Sequence, residues 1–344
     1  MKVLQLTTWY QPAPGGIELH VKRLTEELRK LGCEVTVMTL TPDAVDAVSF
    51  SHMTIPGVPL GFGIVPSPSL YRAALREDAD VVHAQGYGWP MSWVGYVAKK
   101  VGHRPLVFTT HSSPYTPIYP VADLCRALPA RASDAVIVTT DQEAERVKRL
   151  GVREGRITVL PNGVDRPVPA PRTMEGPYIL CIGRMEFRSK GQDILLKAFE
   201  RGGFGQTLVY AGDGPDLGRL KEMTSGRRNI VVLGGVDEAT KASLLSNADL
   251  VVMPSRVEPF GIVGLEAVSY GRRIVATKVG GLQHIMEPYA VLAEPSGADL
   301  ERAMRASLSG EPVPPTEGFF ERYSWKNIAA RTLEIYERVS GNGR

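Results

Sequence analysis

Short runs of apolar, mostly β-branched residues alternate with helix-like segments along the first half of the chain. Between the first two runs, apolar residues recur at helical spacing from Ile17 to Leu31, and Gly32 follows as a stop signal. Strands that alternate with helices in this way indicate a parallel sheet. The predicted strands are Val3–Thr8, Val35–Leu40, Asp80–Ala84, Leu106–Thr109, Ala135–Val138 and Ile157–Leu160.

A second alternation begins after a stretch that suits neither a strand nor a helix. Residues 166–177 carry four prolines and show no periodicity, which is typical of a stiff, extended connector. The strands predicted beyond it are Tyr178–Ile182, Thr207–Ala211, Ile230–Leu233, Leu250–Met253, Ile274–Ala276 and Val291–Ala293. The last apolar pattern, Trp325–Val339, predicts a helix.

These patterns predict an α/β protein with two Rossmann-like, doubly wound parallel-sheet domains that face each other across a cleft. We place an N-terminal domain at 1–165, a linker at 166–177, a C-terminal domain at 178–320 and a helical tail at 321–344. The tail could pack on either domain, and packing back on the first is one of the two options. A chain of 344 residues fits two domains, since compact domains usually have about 100 to 200 residues.

The composition and charge of the chain indicate what kind of protein it is and which partners can be expected. Hydrophobic residues make up 43% of the chain and charged residues 22%, as in an ordinary folded protein. The formal net charge is only +3, and no run of basic residues alternates with aromatic residues. Nucleic acid is therefore not expected as a partner.

The cysteines and the apolar runs bear on localisation. Cys33, Cys125 and Cys181 lack CxxC spacing and have apolar neighbours, so we expect buried thiols in a reducing, cytoplasmic setting. The apolar run at the start of the sequence is too short for a signal peptide, and no run of about 18 apolar residues predicts a membrane span. Peripheral contact with the inner face of a membrane stays open.

Ligands of doubly wound sheets bind beyond the carboxyl ends of the strands, where loops lead into helix N-termini. Gly15 and Gly16 lie in such a loop, and their N–H groups could approach a phosphate or a sugar ring. A flexible loop explains these glycines equally well. His83 and His111 end two other strands and are expected to face one cleft, although a structural role explains each histidine equally well.

The second domain opens with two candidate phosphate-binding cations. Arg184 follows its first strand, and Lys190 lies at the start of the next helix. Fixed cations stabilise the charge that grows on a diphosphate leaving group, although surface cations are normally just solvated. Gly212 and Gly214 resemble part of the dinucleotide fingerprint, but the next strand ends at Leu233 and two glycines instead of the acidic residue of NAD enzymes.

The most specific segment is SRVEPFGIVGLEAVSYG. Here Glu258 closes a strand, a helix begins at Phe260, and Glu266 lies about two turns further along. Glu258 could accept hydrogen bonds from sugar hydroxyls, the free N–H groups of Gly261–Val263 point at phosphate, and Glu266 could hold a ribose. The alternative is a capping Glu258 and a solvated Glu266, but Glu266 lies in an apolar stretch and needs a partner.

Asp78, Ala79 and Asp80 spell the DxD pattern, which holds a metal and a nucleotide diphosphate in some transferases. The pattern precedes a strand, which is the wrong end of the sheet for ligand binding. We interpret it as a turn that leads into the strand, and we expect no metal requirement.

Together these motifs resemble the large retaining glycosyltransferase family of the GT-B fold, which includes sucrose, trehalose and phosphatidylinositol mannosyl transferases. The resemblance covers nearly the whole chain. It rests on GGIELHV, PNGVD at Pro161–Asp165, GR and KG at Arg184 and Lys190, AGDGP, and the pair Glu258 and Glu266.

The resemblance implies that a nucleotide-diphosphate sugar is the donor substrate and lies mainly on the second domain. Its diphosphate would contact Arg184 and Lys190, its ribose Glu266, and its sugar Glu258. No tightly bound cofactor is expected.

The first domain would take the acceptor, with His111 near the C6 hydroxyl of the donor sugar and Gly16 supporting the diphosphate. The family's mechanism has no protein nucleophile: the acceptor hydroxyl attacks from the face that the diphosphate leaves, and a phosphate oxygen helps to remove its proton. The chain departs from the family where Gln283 and His284 replace a Pro-Glu pair and where Tyr289–Leu292 replaces a conserved turn.

We therefore expect transfer of a hexosyl group from a UDP- or GDP-sugar to a hydroxyl of a saccharide, lipid-linked or small-molecule acceptor. The base stays open because backbone groups of Gly234–Asp237, Val236 among them, would bind it. The alternatives are a catalytically silent nucleotide-sugar-binding protein and a sugar-nucleotide epimerase or hydrolase of the same fold. The loop with Tyr115, Ile118, Tyr119 and Pro120 suits a sugar platform, a shallow membrane contact or a packed loop.

Overall fold

The computed structural model describes residues 1–13, 15–56, 63–86, 90–111 and 127–341, and these form two compact units. Unit 1 contains the described residues up to Gly163 and those from Trp325 onward, and unit 2 contains Val164–Ser324. Residues 166–177, the predicted linker, belong to unit 2, where the Ala170 N–H donates to Ser246 Oγ at 3.1 Å. This segment is therefore bound to the surface of unit 2 along part of its length.

A parallel sheet forms the centre of unit 1, and its seven described strands follow the order β3-β2-β1-β6-β7-β8-β9. They are β1 Lys2–Thr7, β2 Glu34–Thr39, β3 Val48–Ser49, β6 Val81–Gln85, β7 Leu106–Thr109, β8 Ala135–Val138 and β9 Ile157–Val159. A separate antiparallel hairpin joins β4 His52–Thr54 to β5 Ile64–Pro66. The sequence predicts β1, β2, β6, β7, β8 and β9 but misses β3, β4 and β5, which have two or three residues each.

The described helices of unit 1 connect these strands. They are α1 Gly16–Lys30, α2 Pro68–Arg76, α3 Met91–Gly102, α4 at residues 127–132, α5 Asp141–Arg149 and the final helix α14 Trp325–Ser340. The helix α1 matches the predicted one, and Gly32, which follows it, has a φ of 85°. Such a left-handed residue ends a helix with little strain when it is a glycine.

The final helix completes the core of unit 1. Trp325, Ile328 and Tyr336 are buried in one apolar cluster with Val21 and Leu28 of α1. At Gly163, an added Cβ would lie 2.4 Å from Trp325 Cδ2, so only glycine fits beneath that indole. The final helix therefore packs on unit 1, whereas residues 321–324 of the predicted tail belong to unit 2.

Unit 2 is built around a second parallel sheet, with the order β12-β11-β10-β13-β14-β15 among its described strands. They are β10 Tyr178–Ile182, β11 Thr207–Ala211, β12 Ile230–Gly234, β13 Leu250–Met253, β14 Arg273–Thr277 and β15 Val291–Ala293. All six coincide with predicted strands. The order runs outward from β10 in one direction and from β13 in the other, which is the doubly wound arrangement.

Apolar residues cover both faces of this sheet, and helices provide most of the cover. The helices are α6 Phe187–Lys190, α7 Gln192–Gly202, α8 Leu217–Thr224, α9 Glu238–Asn247, α10 Ile262–Ser269, α11 Gly280–Met286, α12 Gly297–Ser309 and α13 Glu317–Tyr323. Because every strand is parallel, the loops after the carboxyl ends of the strands gather at one edge of the sheet.

Candidate functional site

The direction of winding in unit 2 changes between β10 and β13, which are neighbours in the sheet. The loop after β10 leads toward β11, whereas the loop after β13 leads toward β14 on the other side. A crevice forms where two such loops part, and it is the usual ligand position in this architecture. The predicted donor-site residues Arg184, Lys190 and Glu258 all come from these two loops.

Lys190 and Glu258 meet across this crevice. The Lys190 ammonium, at the end of α6, lies 2.6 Å from Glu258 Oε2, and Ser255 Oγ lies 3.4 Å from the same oxygen. Only 10% of the Glu258 side chain is exposed, against 30% for Lys190. The expectation that Glu258 closes a strand is wrong, because β13 ends at Met253 and Glu258 lies in the following loop.

Arg184 lies shortly before Lys190 in the chain, and its side chain is exposed. Its backbone is fixed, because Gln192 Nε2 donates to the Arg184 carbonyl at 2.8 Å. Within the part of unit 2 that the structure describes, its guanidinium makes no ion pair. A held backbone with an unpaired cation is suited to binding an anionic ligand.

A second ion pair, which the sequence did not suggest, ties the two loops together. Arg256 makes a bidentate contact with Asp193 of α7 at 2.6 and 2.8 Å. The backbone N–H groups of Arg256 and Val257 both donate to the Ser189 carbonyl, at 2.7 and 3.0 Å. These contacts hold the segment with Lys190 against the segment with Glu258.

The glycines of AGDGP have a packing role that the fingerprint comparison did not suggest. A Cβ on Gly212 would lie 1.9 Å from the Gly183 carbonyl oxygen, and one on Gly214 would lie 2.4 Å from the Met185 carbonyl oxygen. The Met185 N–H donates to the Asp213 carbonyl at 2.9 Å. The loop after β11 therefore lies directly on the loop that carries Arg184.

The segment after Glu258 starts the helix α10. Phe260 is buried, and Gly261 caps the helix with a φ of 91°, so the helix begins at Ile262. A Cβ on Gly261 would lie 2.6 Å from Leu282 Cδ1, so any larger residue would push this buried side chain aside. The N–H groups in the first turn, at Ile262 and Val263, have no acceptor within an α-helix and are available to an anion.

Glu266 has the partner that its apolar surroundings required. Lys241 of α9 lies 2.9 Å from Glu266 Oε1 and 2.9 Å from Glu238 Oε2. Burial raises the pKa of Glu266 above its usual range, and the nearby Lys241 only partly opposes this effect. Val236, in the loop between β12 and α9, packs partly against the core of unit 2.

Unit 1 has its own change of winding direction, between β1 and β6. Gly15 caps α1 and Gly16 begins it, in the loop that leaves β1. A Cβ on Gly15 would lie 2.1 Å from Glu18 Oε2, so this carboxylate lies over the start of α1. That is the position where a carboxylate is favoured by the free N–H groups of the helix.

His111 follows β7 with a φ of 48°, a left-handed conformation that is costly for a residue with a side chain. Its Nε2 lies 2.9 Å from Gln85 Oε1, and its ring lies edge to face with His20 at a centroid distance of 4.5 Å. Burial lowers the pKa of His111 well below its usual value and that of His20 to about 4. His20 Nδ1 in turn lies 2.8 Å from Asn162 Oδ1 of the PNGVD motif.

The expectation that His83 faces a cleft is wrong. His83 is the central residue of β6 and is fully buried, with Nδ1 at 2.5 Å from Tyr336 Oη and Nε2 at 2.7 Å from Thr109 Oγ1. Burial lowers its pKa to about 3. Alternation along β6 directs this side chain toward the final helix, and the sequence offers no local signal for a partner so distant.

The remaining motifs have structural roles or lie outside the described residues. Lys2 binds both acids of the DxD pattern, through its N–H to Asp80 at 2.7 Å and its ammonium to Asp78 at 2.6 Å. Cys33 and Cys181 are buried free thiols. Cys125 and the loop with Tyr115, Ile118, Tyr119 and Pro120 are outside the described residues. In the described residues, no helix combines the length and apolarity needed to cross a membrane.

Comparison with known proteins identifies the family. The model of Glycosyltransferase Family 4 matches residues 14–166, and that of Glycosyl transferases group 1 matches residues 176–309, so together they account for most of the chain. A phosphatidylinositol N-acetylglucosaminyltransferase subunit of Arabidopsis thaliana is 29% identical, with 98% of this chain and 82% of that protein covered.

Two solved structures share the fold. Sucrose-phosphate synthase from Thermosynechococcus elongatus superposes with a TM-score of 0.76 and 20% identity, over 99% of both chains. Anabaena Alr3699/HepE in complex with UDP-glucose gives a TM-score of 0.73 and 20% identity, over 99% of this chain and 98% of that one. The chain is thus a retaining glycosyltransferase of the GT-B fold that belongs to glycosyltransferase family 4 and uses a nucleotide-sugar donor.

Proposed function

We propose that the protein transfers a hexosyl group from a UDP- or GDP-sugar to a hydroxyl of a saccharide or lipid-linked acceptor. The observation that carries this proposal is the 2.6 Å contact between Lys190 and Glu258, in the crevice of unit 2 between the segments that follow β10 and β13. In a nucleotide sugar, a polyhydroxyl ring and an anionic diphosphate are joined through one glycosidic oxygen. A carboxylate that accepts from hydroxyls and a cation that binds phosphate must then be neighbours, as these two residues are.

The diphosphate is assigned to Arg184, Lys190 and the first N–H groups of α10, from Gly261 to Val263. Cations and helix N-termini favour the charge that develops as the leaving group departs. The ring hydroxyls are assigned to Glu258. The glycines 212 and 214 keep the neighbouring loop close enough to support Arg184.

The nucleoside is assigned to the Lys241 side of α10. Glu266, on α10, accepts from the ribose hydroxyls, while backbone groups around Val236 bind the base. In unit 1, His111 is assigned to the C6 hydroxyl of the donor sugar, and Gly15 and Gly16 to the diphosphate.

The proposed chemistry is front-face displacement. The bond between the anomeric carbon and the diphosphate oxygen breaks, the acceptor oxygen bonds to the same face of that carbon, and the acceptor proton passes to a phosphate oxygen. Lys190 and Glu258 are already bound to each other, and this arrangement is suited to binding a substrate and not to nucleophilic attack. Retention of configuration follows from attack on the face that the diphosphate leaves.

The relatives support each choice of substrate to a different degree. A neighbour of the same fold binds UDP-glucose, which supports a UDP-sugar among the donors. The Arabidopsis relative is named for transfer of N-acetylglucosamine to phosphatidylinositol, which supports a lipid-linked acceptor and peripheral membrane contact. The sucrose-phosphate synthase supports a saccharide acceptor.

The test measures nucleotide release from UDP-, GDP- and ADP-sugars, with and without a mixed set of acceptors, first in chelator and then with magnesium. We expect release from one donor, dependent on an acceptor, equal in chelator and magnesium, and abolished in Glu258→Ala. Arg227→Ala is the matched control, because Arg227 pairs with Glu200 on the surface of the same unit at 2.5 Å.

The other outcomes distinguish the alternatives. Tight binding of a nucleotide sugar without release would indicate a silent binding protein, whereas release or rearrangement without any acceptor would indicate a hydrolase or an epimerase. Activity only with magnesium would contradict the proposed metal independence. Equal activity of Glu258→Ala and the wild type would contradict the assignment of the site.

A further inference from the structure

A chain of buried hydrogen bonds links the final helix of unit 1 to His111. It runs from Tyr336 of α14 to His83 at 2.5 Å, from His83 to Gln85 at 3.3 Å, and from Gln85 to His111 at 2.9 Å. Tyr336, His83 and Gln85 are each at most 1% exposed. Every proton in this chain is therefore held by protein groups and not by solvent.

The protons can be placed by requiring that each buried donor has an acceptor. Among the described residues, the Tyr336 hydroxyl has one hydrogen-bond partner, His83 Nδ1. If His83 Nδ1 carried a proton, the hydroxyl hydrogen of Tyr336 would be buried without an acceptor. Tyr336 therefore donates, and His83 Nδ1 accepts.

This assignment determines the tautomer of His83 and the orientation of the Gln85 amide. A neutral His83 that accepts at Nδ1 carries its proton on Nε2 and donates it to Thr109 Oγ1 at 2.7 Å. The Gln85 atom that lies 3.3 Å from His83 Nδ1 must be the amide nitrogen, since two acceptors would repel each other. The same nitrogen lies 3.3 Å from Gln5 Oε1, which it also supplies.

With its amide nitrogen turned to His83, Gln85 presents its oxygen to His111. An amide oxygen only accepts, so His111 Nε2 must be the protonated nitrogen. A neutral imidazole has one proton, and Nδ1 of His111 is then an unprotonated acceptor. No described residue occupies that nitrogen with a hydrogen bond, and the side chain is partly exposed.

We propose that Tyr336, His83 and Gln85 are positioning residues that fix the tautomer of His111, so that its Nδ1 accepts a hydrogen bond from a sugar hydroxyl. His111 then cannot supply a proton to the departing diphosphate. The role of His111 toward a sugar rests on the proposed function, whereas its tautomer does not.

Two further contacts hold His111 in place for this role. Thr110, the residue before it, donates to the buried carboxylate of Glu143, which also accepts from the Thr139 N–H at 2.6 Å. The ring of His20 packs edge to face against the imidazole at 4.5 Å. The left-handed backbone of His111 is thus maintained by its surroundings, as strained residues at functional sites are.

The tautomer can be measured without any substrate. With the histidines labelled with ¹⁵N, long-range proton–nitrogen correlation spectra separate protonated from unprotonated ring nitrogens, and a His111→Gln spectrum assigns the signals. We expect Nε2 of His111 to be protonated and Nδ1 to be unprotonated. A protonated Nδ1 would overturn the proposal, even if the protein proves to be an active transferase.

Two variants test whether the tautomer of His111 depends on the hydroxyl of Tyr336 in the final helix. Tyr336→Phe removes the hydroxyl, which frees the Gln85 amide to turn, and we expect the two His111 signals to shift toward a mixture of tautomers. Tyr178→Phe is the control, because it removes a buried tyrosine hydroxyl of unit 2 that donates to the Leu244 carbonyl at 2.7 Å. Unchanged His111 signals in Tyr336→Phe would overturn the proposal.

Activity provides a second measurement. We expect kcat/KM for the preferred donor to fall about threefold to tenfold in Tyr336→Phe, the size of one weakened neutral hydrogen bond, and to stay near wild type in Tyr178→Phe. A donor sugar that lacks the contacted hydroxyl should show no difference between Tyr336→Phe and the wild type. An equal loss with both sugars would indicate a purely structural defect and would contradict the proposed contact.

Discussion

The ammonium of Lys190 lies 2.6 Å from the carboxylate of Glu258, although 68 positions separate the two residues in the chain. Each side chain neutralises the other in the absence of substrate. Under the proposed function, a nucleotide sugar would offer phosphate oxygens to the lysine and hydroxyls to the glutamate, so its binding would replace one contact with two. The pair would then hold both groups in position before the donor arrives.

We expect Lys190→Ala and Glu258→Ala each to lower kcat by about a hundredfold or more, because each removes a charge aimed at the reacting bond. Stability should fall more in Lys190→Ala than in Glu258→Ala, because Lys190→Ala leaves the buried carboxylate of Glu258 without its cation, whereas Lys190 is partly exposed and can be hydrated. The measurement is initial rate beside thermal unfolding, with Arg227→Ala as the control. Wild-type turnover in both site variants would mean that the reaction occurs elsewhere.

We expect Arg256→Lys to lower kcat by about tenfold while the donor still binds. A lysine cannot reproduce the two parallel contacts to Asp193, so the loops with Lys190 and Glu258 lose their alignment. Arg302→Lys, which alters a pair with Asp299 on the exposed face of α12, is the matched control. Equal rates for Arg256→Lys and this control would show that the contact between Arg256 and Asp193 does not position the site.

We expect Gly261→Ala to destabilise the protein by about 2 to 4 kcal/mol, from a left-handed φ together with a close contact to Leu282. Gly226→Ala separates these causes, because Gly226 has a φ of 77° but nothing within 4 Å of an added Cβ. This control should cost only about 1 kcal/mol. Urea unfolding of both variants gives the comparison, and equal losses would contradict the packing argument.

Stability should fall as the pH drops below about 6.5, because His20 and His83 stay neutral in the folded protein. Burial lowers their pKa values to about 4 and about 3 from 6.5, so the unfolded chain binds protons that the folded one excludes. Their contribution is complete above pH 6.5 and is lost as the pH falls to about 4 for His20 and to about 3 for His83. Each histidine adds up to about 1.4 kcal/mol per pH unit to this slope.

The measurement is urea unfolding at several pH values between 4.5 and 7. In His83→Gln the slope should become shallower by one histidine's share, whatever its absolute stability. His103→Asn changes an exposed histidine at the end of α3 and should keep the wild-type slope. A slope that is the same in all three proteins would contradict the assignment of buried, neutral histidines.

The strands and α1 could be predicted because their signals are local. Alternating runs of four to six residues and a repeat of apolar positions from Ile17 to Leu31 are readable within one window of sequence. The glutamates 258 and 266 could also be singled out from local sequence, because both lie within a single motif. The loop position of Glu258 was missed because a short strand and an extended loop have the same composition.

The partners of these residues could not be predicted, because they depend on packing between distant segments. Lys241 is 25 positions from Glu266, and Tyr336 is 253 positions from His83. The contact between Arg256 and Asp193 likewise requires the sheet order, which brings β10 next to β13. No periodicity in the sequence encodes such pairs.

The order of synthesis gives the final helix a further significance. The ribosome makes residues 1–163 before all of unit 2, and only then makes the residues of α14 that bury the face of unit 1 around His83. Until that moment the buried hydrogen bonds through His83 lack Tyr336, and the apolar cluster with Val21 and Leu28 lacks Trp325. The interior of a nascent unit 1 therefore stays open while unit 2 is translated, and a fragment of residues 1–163 should bind hydrophobic dyes and molecular chaperones that the 344-residue chain does not.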